Sequence, residues 1–190
     1  MRISERAFMD IAIGTKAPRR IVFKLFPRKC PSAVKNFIEL CSGNVSTDTY
    51  ESGNRDKLIS ESALPQLTYK NSTFHRVEKG YLIQGGDIVT GRGTEQLSIY
   101  GGTFSAPEEV RASVFDKPGL VGTASSSPNA HGSQFFILTA KEANHLNGTC
   151  ICFGQVADGL DVVQEIEQVP IDPSGFPSLK VSIVDCGVLE

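Results

Sequence analysis

Neither sign of charge dominates this chain: 19 Lys and Arg stand against 21 Asp and Glu across 190 residues, a formal net charge of -2. So balanced a surface exerts no long-range pull on DNA, RNA or an anionic membrane, and no nucleic-acid partner is expected. No apolar run approaches the length of a membrane span. The first residues, Met1-Arg2-Ile3-Ser4-Glu5-Arg6, carry charge where a secretory leader needs an apolar stretch. The expectation is a cytoplasmic protein, with the nucleus as the other compartment, and no membrane partner. Cysteine is sparse and irregular. Cys30, Cys41, Cys150, Cys152 and Cys186 are odd in number and do not resemble the disulfide framework of a small secreted domain. Without a leader, the sequons beginning at Asn44, Asn71 and Asn147 read as chance matches. His145, Cys150 and Cys152 offer three zinc-ligating groups but lack a fourth and a usable spacing, so neither metal nor cofactor is expected. Hydrolase and dinucleotide frames are missing too. Ser125-Ser126-Ser127 has no Gly-x-Ser-x-Gly setting, and Gly91-Arg92-Gly93 is not followed by a third glycine at the required distance. No internal repeat is present.

What the chain does contain is an ordinary globular composition, 40% hydrophobic and 21% charged, at a length that suits one domain over residues 1–190 with a sizeable core. Short alternating runs predict strands at Phe8–Ile13, Ile21–Phe26, Thr73–Val77, Tyr81–Gln84, Gly119–Ala124, Ser133–Thr139, Cys150–Val156 and Lys180–Val184. A helix is predicted over Pro31–Cys41, where proline suits the first turn and Val34, Phe37, Ile38 and Cys41 share a face. A second is predicted over Leu160–Val169, striped by Val162, Val163, Ile166 and Val169. Many strands with two isolated helices favour a closed antiparallel barrel, since a parallel sheet needs a helix between successive strands. The polar stretch at about 42–66 has no period and reads as an enlarged surface loop.

Four segments carry a family resemblance: Phe74-His75-Arg76, Gln84-Gly85-Gly86-Asp87, Ser98-Ile99-Tyr100-Gly101, and Asn129-Ala130-His131-Gly132-Ser133-Gln134-Phe135-Phe136-Ile137. Phe153-Gly154 and the terminal Asp185-Cys186-Gly187 agree with them. In this order, on predicted strands and turns, the segments resemble the cyclophilin-type peptidyl-prolyl cis-trans isomerases. The resemblance implies a mainly β fold, a closed eight-stranded antiparallel β-barrel capped by two α-helices, with a substrate groove on its outer face. Strand periodicity agrees: Leu82 and Gln84 share a face, as do Gln134 and Phe136, while Phe135 and Ile137 point the other way. A glutamine turned into an apolar core would bury an unsatisfied amide, so Gln134 and Phe136 make better sense lining a groove.

The activity implied is rotation of X-Pro peptide bonds in peptides and unfolded protein clients, which assists folding. By the resemblance, the guanidinium of Arg76 donates near the prolyl nitrogen and Gln84 orients it. Tyr81, Leu82, Phe136 and Leu146 form the proline pocket, while Gln134 and the backbone at Ala124 and Ser125 clamp the peptide. His145 and Cys150 complete the substrate-binding set. Here the chain departs from the family pattern. Cys150 stands where histidine is usual, and His145 stands where many members carry tryptophan. Tyr81 replaces phenylalanine, Ser125 replaces asparagine, and Glu95-Gln96 replaces small glycines beside the groove. The expected consequences are an altered far wall, a narrowed neighbouring pocket and weakened binding of cyclosporin. A monomer is expected. Some members with an enlarged loop carry a cysteine pair resembling Cys41 and Cys186 that forms a regulatory disulfide. The alternative function is a non-catalytic module that binds proline-containing segments or serves as a scaffold, with vestigial turnover.

Overall fold

Alternation in the first strand defines the inside of the molecule. The computed structural model describes residues 5–45 and 67–190, so the expected loop at 42–66 lies, from residue 46 onward, outside the described residues. In β1 (Arg6–Ile13), Ala7, Met9, Ile11 and Ile13 are buried and the residues between them are half-buried. The remaining strands are β2 (Arg19–Leu25), β3 (Phe74–Glu78), β4 (Leu82–Gly85), β5 (Leu120–Thr123), β6 (Phe135–Leu138), β7 (Cys152–Asp158) and β8 (Val181–Leu189). They form one eight-stranded sheet in the order β3-β4-β6-β5-β7-β2-β1-β8, antiparallel at every pairing. Its two ends meet just before β3. Thr73 bridges Ser182, the Asn71 N–H donates to the Ile183 carbonyl at 2.7 Å, and the Ile183 N–H donates to the Ser72 carbonyl at 2.9 Å. The sheet thus curls into the expected barrel, closed by these few bonds rather than by a full ladder.

Among the described residues the α-helices are α1 (Pro31–Ser42), α2 (Pro107–Arg111) and α3 (Leu160–Glu167). Two were expected; α2 is a third, and its five residues are too few to show an apolar period. It serves the first helix directly. Cys30, at the N-terminus of α1, supplies no side-chain cap. Instead the buried Glu109 carboxylate of α2 accepts the N–H groups of Ser32 at 2.7 Å and Ala33 at 3.1 Å. These are donors a helix leaves unpaired at its start, and an anion there also favours the helix dipole. At the other end Gly43, with φ 67°, adopts the left-handed conformation that stops the helix, and its N–H closes on the Glu39 carbonyl.

Two apolar clusters result. The larger fills the barrel and the face beneath α1, where the Phe37 ring meets Phe23, Tyr69, Phe135 and Phe153 at 5.0–5.5 Å between centroids. The smaller lies outside the sheet and joins Leu82, Phe115, Leu120, Phe136, Leu138, Ala143, Cys150 and Cys152. Strand β6 separates them, sending Phe135 and Ile137 into the first and Phe136 and Leu138 into the second. This is the alternation expected, and it puts an apolar platform on the outer face. Cys150 and Cys152, two residues apart, both face that platform. All five thiols are free. Burial pushes the Cys41 thiol well up, and nearby Cys186 adds to the shift. Among the described residues no helix is long and apolar enough to cross a membrane.

Candidate active site

A bulge aims the arginine. Along β3 the register to β4 slips by one residue between Phe74, opposite Gly85, and Arg76, opposite Gln84. Without the slip, strict alternation would place Phe74 and Arg76 on one face. With it, Phe74 and Val77 both enter the barrel core, where Phe74 meets Phe135 edge-on, and Arg76 stays on the outer face with its side chain half in solvent. Its cross-strand neighbour is Gln84, whose Oε1 accepts from an Arg76 guanidinium nitrogen at 3.3 Å.

From Gln84 a chain of amides runs across the groove. Gln84 Nε2 donates to Gln134 Oε1 at 3.0 Å, and Gln134 Nε2 donates to the Glu95 carbonyl at 2.8 Å. Gln134 is therefore almost fully buried yet satisfied, on the groove face that strand alternation assigns to it. Gln96 closes the polar end. Its Nε2 donates to the Ala124 carbonyl at 2.7 Å, and its Oε1 accepts the Gln134 backbone N–H at 3.4 Å.

The loop bearing Glu95 and Gln96 is wound around one buried carboxylate. Asp87 accepts the N–H groups of Val89, Thr90, Gly93, Thr94 and Glu95 and the Thr90 hydroxyl. Burial alone would raise this carboxyl, but the hydrogen bonds from Thr90, Val89 and Glu95 outweigh it and hold it down at about 2. Gly93 (φ 81°) then lies flat on His75; a Cβ there would come within 2.5 Å of the imidazole Nε2. His75 is buried, and burial pushes its imidazole below the ordinary histidine range.

At the other end the walls are apolar. Tyr81, Leu82, Phe136, Leu146 and Cys150 line the same cavity as Arg76, Gln84, Gln134 and Gln96, with a volume of about 410 Å³. Phe136 is pinned from behind: Gly122 leaves so little room that a Cβ would sit 2.5 Å from its ring and 2.7 Å from that of Phe115. Leu146 is turned inward by a single 3₁₀ turn, Asn144–Leu146. The Cys150 thiol points at the Ser125 carbonyl, 3.5 Å away, and burial pushes its pKa up. The backbone of Ala124 and Ser125 forms the facing edge. The Ser125 hydroxyl turns away from the cavity, 2.7 Å from the carbonyls of Ser127 and Ala130.

Ten of the eleven residues expected from sequence thus surround one cavity. His145 does not line it. The imidazole stands exposed at the rim, with Nε2 2.6 Å from the Tyr81 hydroxyl, and reaches the cavity only through that residue. Gly93, Gln96 and Ser126 also line the cavity. Of these only Gln96 carried a sequence signal, as a bulky residue in a glycine position. No group of three His, Cys, Asp or Glu side chains among the described residues is placed to hold a metal ion.

The family profile described as "Cyclophilin type peptidyl-prolyl cis-trans isomerase/CLD" matches residues 8–188. Among curated proteins the chain is similar to the NK-tumor recognition proteins of Mus musculus and Homo sapiens, 40% identical to each over 180 residues. Those alignments cover 95% of this chain and 11% of each relative, so the chain spans about a ninth of the length of the curated relatives it matches.

Proposed function

Because the chain belongs to the cyclophilin-type peptidyl-prolyl cis-trans isomerase family, we propose that it accelerates rotation about X-Pro bonds in peptides and unfolded proteins and so assists folding. One observation carries this reading: Arg76, held by Gln84, opens into the same cavity as the apolar slot of Leu82, Phe136 and Leu146.

The chemistry asks for no nucleophile. Amide resonance sets a barrier of about 18–20 kcal/mol, and an X-Pro bond left alone isomerises in roughly tens to hundreds of seconds. An acceleration of about 10⁵-fold requires about 7 kcal/mol of transition-state stabilisation. As the amide twists, the lone pair localises on the prolyl nitrogen, and a donor aimed there binds the twisted form more tightly than either planar one. Arg76 is that donor, charged at every ordinary pH. A single such donor contributes about 3–4 kcal/mol. The remainder comes from fixing the ring against Phe136 and Leu146 and from clamping the flanking backbone with Gln134 and the Ala124–Ser125 edge. Substrates are proline-containing segments met by a monomer. Cyclosporin binds weakly, because His145 leaves the rim smaller and more polar than tryptophan would.

A protease-coupled assay on a short X-Pro peptide tests the reading with wild type, Arg76→Ala and Phe136→Ala. Arg76→Ala is expected to lower kcat/KM by about 10²- to 10³-fold, the loss typical of removing a transition-state donor. Wild type that leaves the uncatalysed rate unchanged would instead support a module that only binds proline-containing segments.

A further inference from the structure

Arg76 has a second partner that the isomerase reading does not use. Glu78, two residues along β3 and so on the same face, forms an ion pair with the other guanidinium nitrogen, Nη2. Gln84 holds Nη1 from the neighbouring strand. The guanidinium is thus fixed at two points from two directions. A planar group held at both Nη atoms cannot turn about its long axis, and only the N–H bonds outside those two contacts are left to aim at a ligand. Both side chains of the pair remain partly solvated, 48% exposed for Arg76 and 38% for Glu78. Tyr81, in the cavity wall, senses both charges: burial pushes its hydroxyl up, the Glu78 carboxylate adds to this, and Arg76 opposes it. Glu78 stands opposite Leu82 across the strand pair and is bound to Arg76, both of which line the cavity, so it sits beside the cavity rather than on a remote surface.

Resting on the isomerase reading, we propose that Glu78 is a positioning residue for the reaction: it and Gln84 clamp the Arg76 guanidinium in the orientation that meets the prolyl nitrogen. An arginine on a solvated strand otherwise samples many rotamers, and each turnover would begin by freezing one of them. Glu78 removes that step without touching the substrate. Its effect accordingly falls on kcat and leaves the slot, and with it KM, as it was.

The test uses full-length protein and a capped, uncharged X-Pro peptide. It measures kcat and KM for wild type, Arg76→Ala, Glu78→Ala, Glu78→Gln and, as a remote charge control, Glu108→Ala, whose partner Arg111 lies on α2. Glu78→Ala is expected to lower kcat about two- to fivefold, the scale of one partly exposed ion pair, with KM within about a factor of two. Glu78→Gln, which keeps an acceptor, falls between that variant and wild type, and Glu108→Ala matches wild type. Between about 20 mM and about 500 mM salt the gap between wild type and Glu78→Gln narrows, because the charge of the pair is screened. A Glu78→Ala enzyme with wild-type or higher kcat, a loss confined to KM, or a gap indifferent to salt would each overturn the proposal. If wild type and Arg76→Ala are equally inactive, the isomerase reading itself has failed; a normal wild type with a normal Glu78→Ala leaves that reading standing and removes only this one.

Discussion

Asp87 shows how a residue far from any substrate shapes the cavity. Its carboxylate gathers five backbone N–H groups and one hydroxyl from residues 89–95, and that loop delivers Gly93 and Gln96 to the wall. The folded-state carboxyl is held at about 2, below its ordinary range. The stability it contributes is therefore complete above the unfolded carboxyl range and is lost as pH falls from there through about 2. Asp87→Asn places an amide NH₂ among donors and leaves several unpaired. We expect a loss of about 1–3 kcal/mol at neutral pH and a shallower fall in stability between about pH 4 and 2 than in wild type. Urea unfolding across that pH range checks both; equal slopes would show that the carboxylate is not the titrating group. The sequence placed Asp87 in a family motif and went no further, because five of its six donors are backbone N–H groups, which no residue type betrays. Glu78 was hidden for a different reason: a charged residue on a half-solvated strand reads as surface. By contrast Leu82, Gln84 and Phe136 were legible at once, through strand alternation and the family segments together, while Leu146, on a 3₁₀ turn, was legible through the resemblance alone.

Among the elements, α1 depends on α2. Two of its first N–H groups end on Glu109, so the short helix caps the long one through its side chain. Glu109→Ala is expected to cost about 1–2 kcal/mol, as for the loss of a helix cap, and so to lower Tm by about 2–8 °C. Glu109→Gln, which can still accept, recovers part of the loss; calorimetry of the two variants decides. Periodicity found all of α3 and all but the last residue of α1, but not α2, which is too short to repeat. It also ended the last strand too early. The predicted strand stopped at Val184, whereas β8 continues to Leu189 through Asp185, Cys186 and Gly187. These residues are half-buried and show no alternation. What extends the strand is pairing with β1, as far as Arg6 opposite Leu189, and a register shift between Asp10 and Ile11 accommodates it. The bulge that aims Arg76 leaves only a break in alternation, with Phe74 and Val77 three residues apart on one face, and a single break in a five-residue strand does not identify a bulge.

At the scale of the molecule, the two apolar clusters divide the work. The inner one supports the barrel and the outer one forms the slot, with β6 contributing to both. Truncating the inner aromatic centre should therefore weaken the fold and spare the slot. Phe37→Ala is expected to cost about 3–5 kcal/mol and to lower Tm by about 6–20 °C, while kcat/KM well below the new Tm stays near wild type. Thermal unfolding beside activity at low temperature tests that division; a parallel loss of both would join the clusters. The relatives' far greater length bears on clients and location, which belong to the whole protein, and not on this division of labour.

Equilibrium exchange between the cis and trans forms of an X-Pro peptide, followed by NMR with a small fraction of protein, separates binding from rotation. With wild type, exchange peaks between the two forms should appear, and the amides around Phe136 and Leu146 should shift as peptide is added. With Arg76→Ala the same shifts should persist while the exchange peaks vanish. Exchange of equal rate in the two proteins would show that a guanidinium at the mouth of the slot is not what turns the bond.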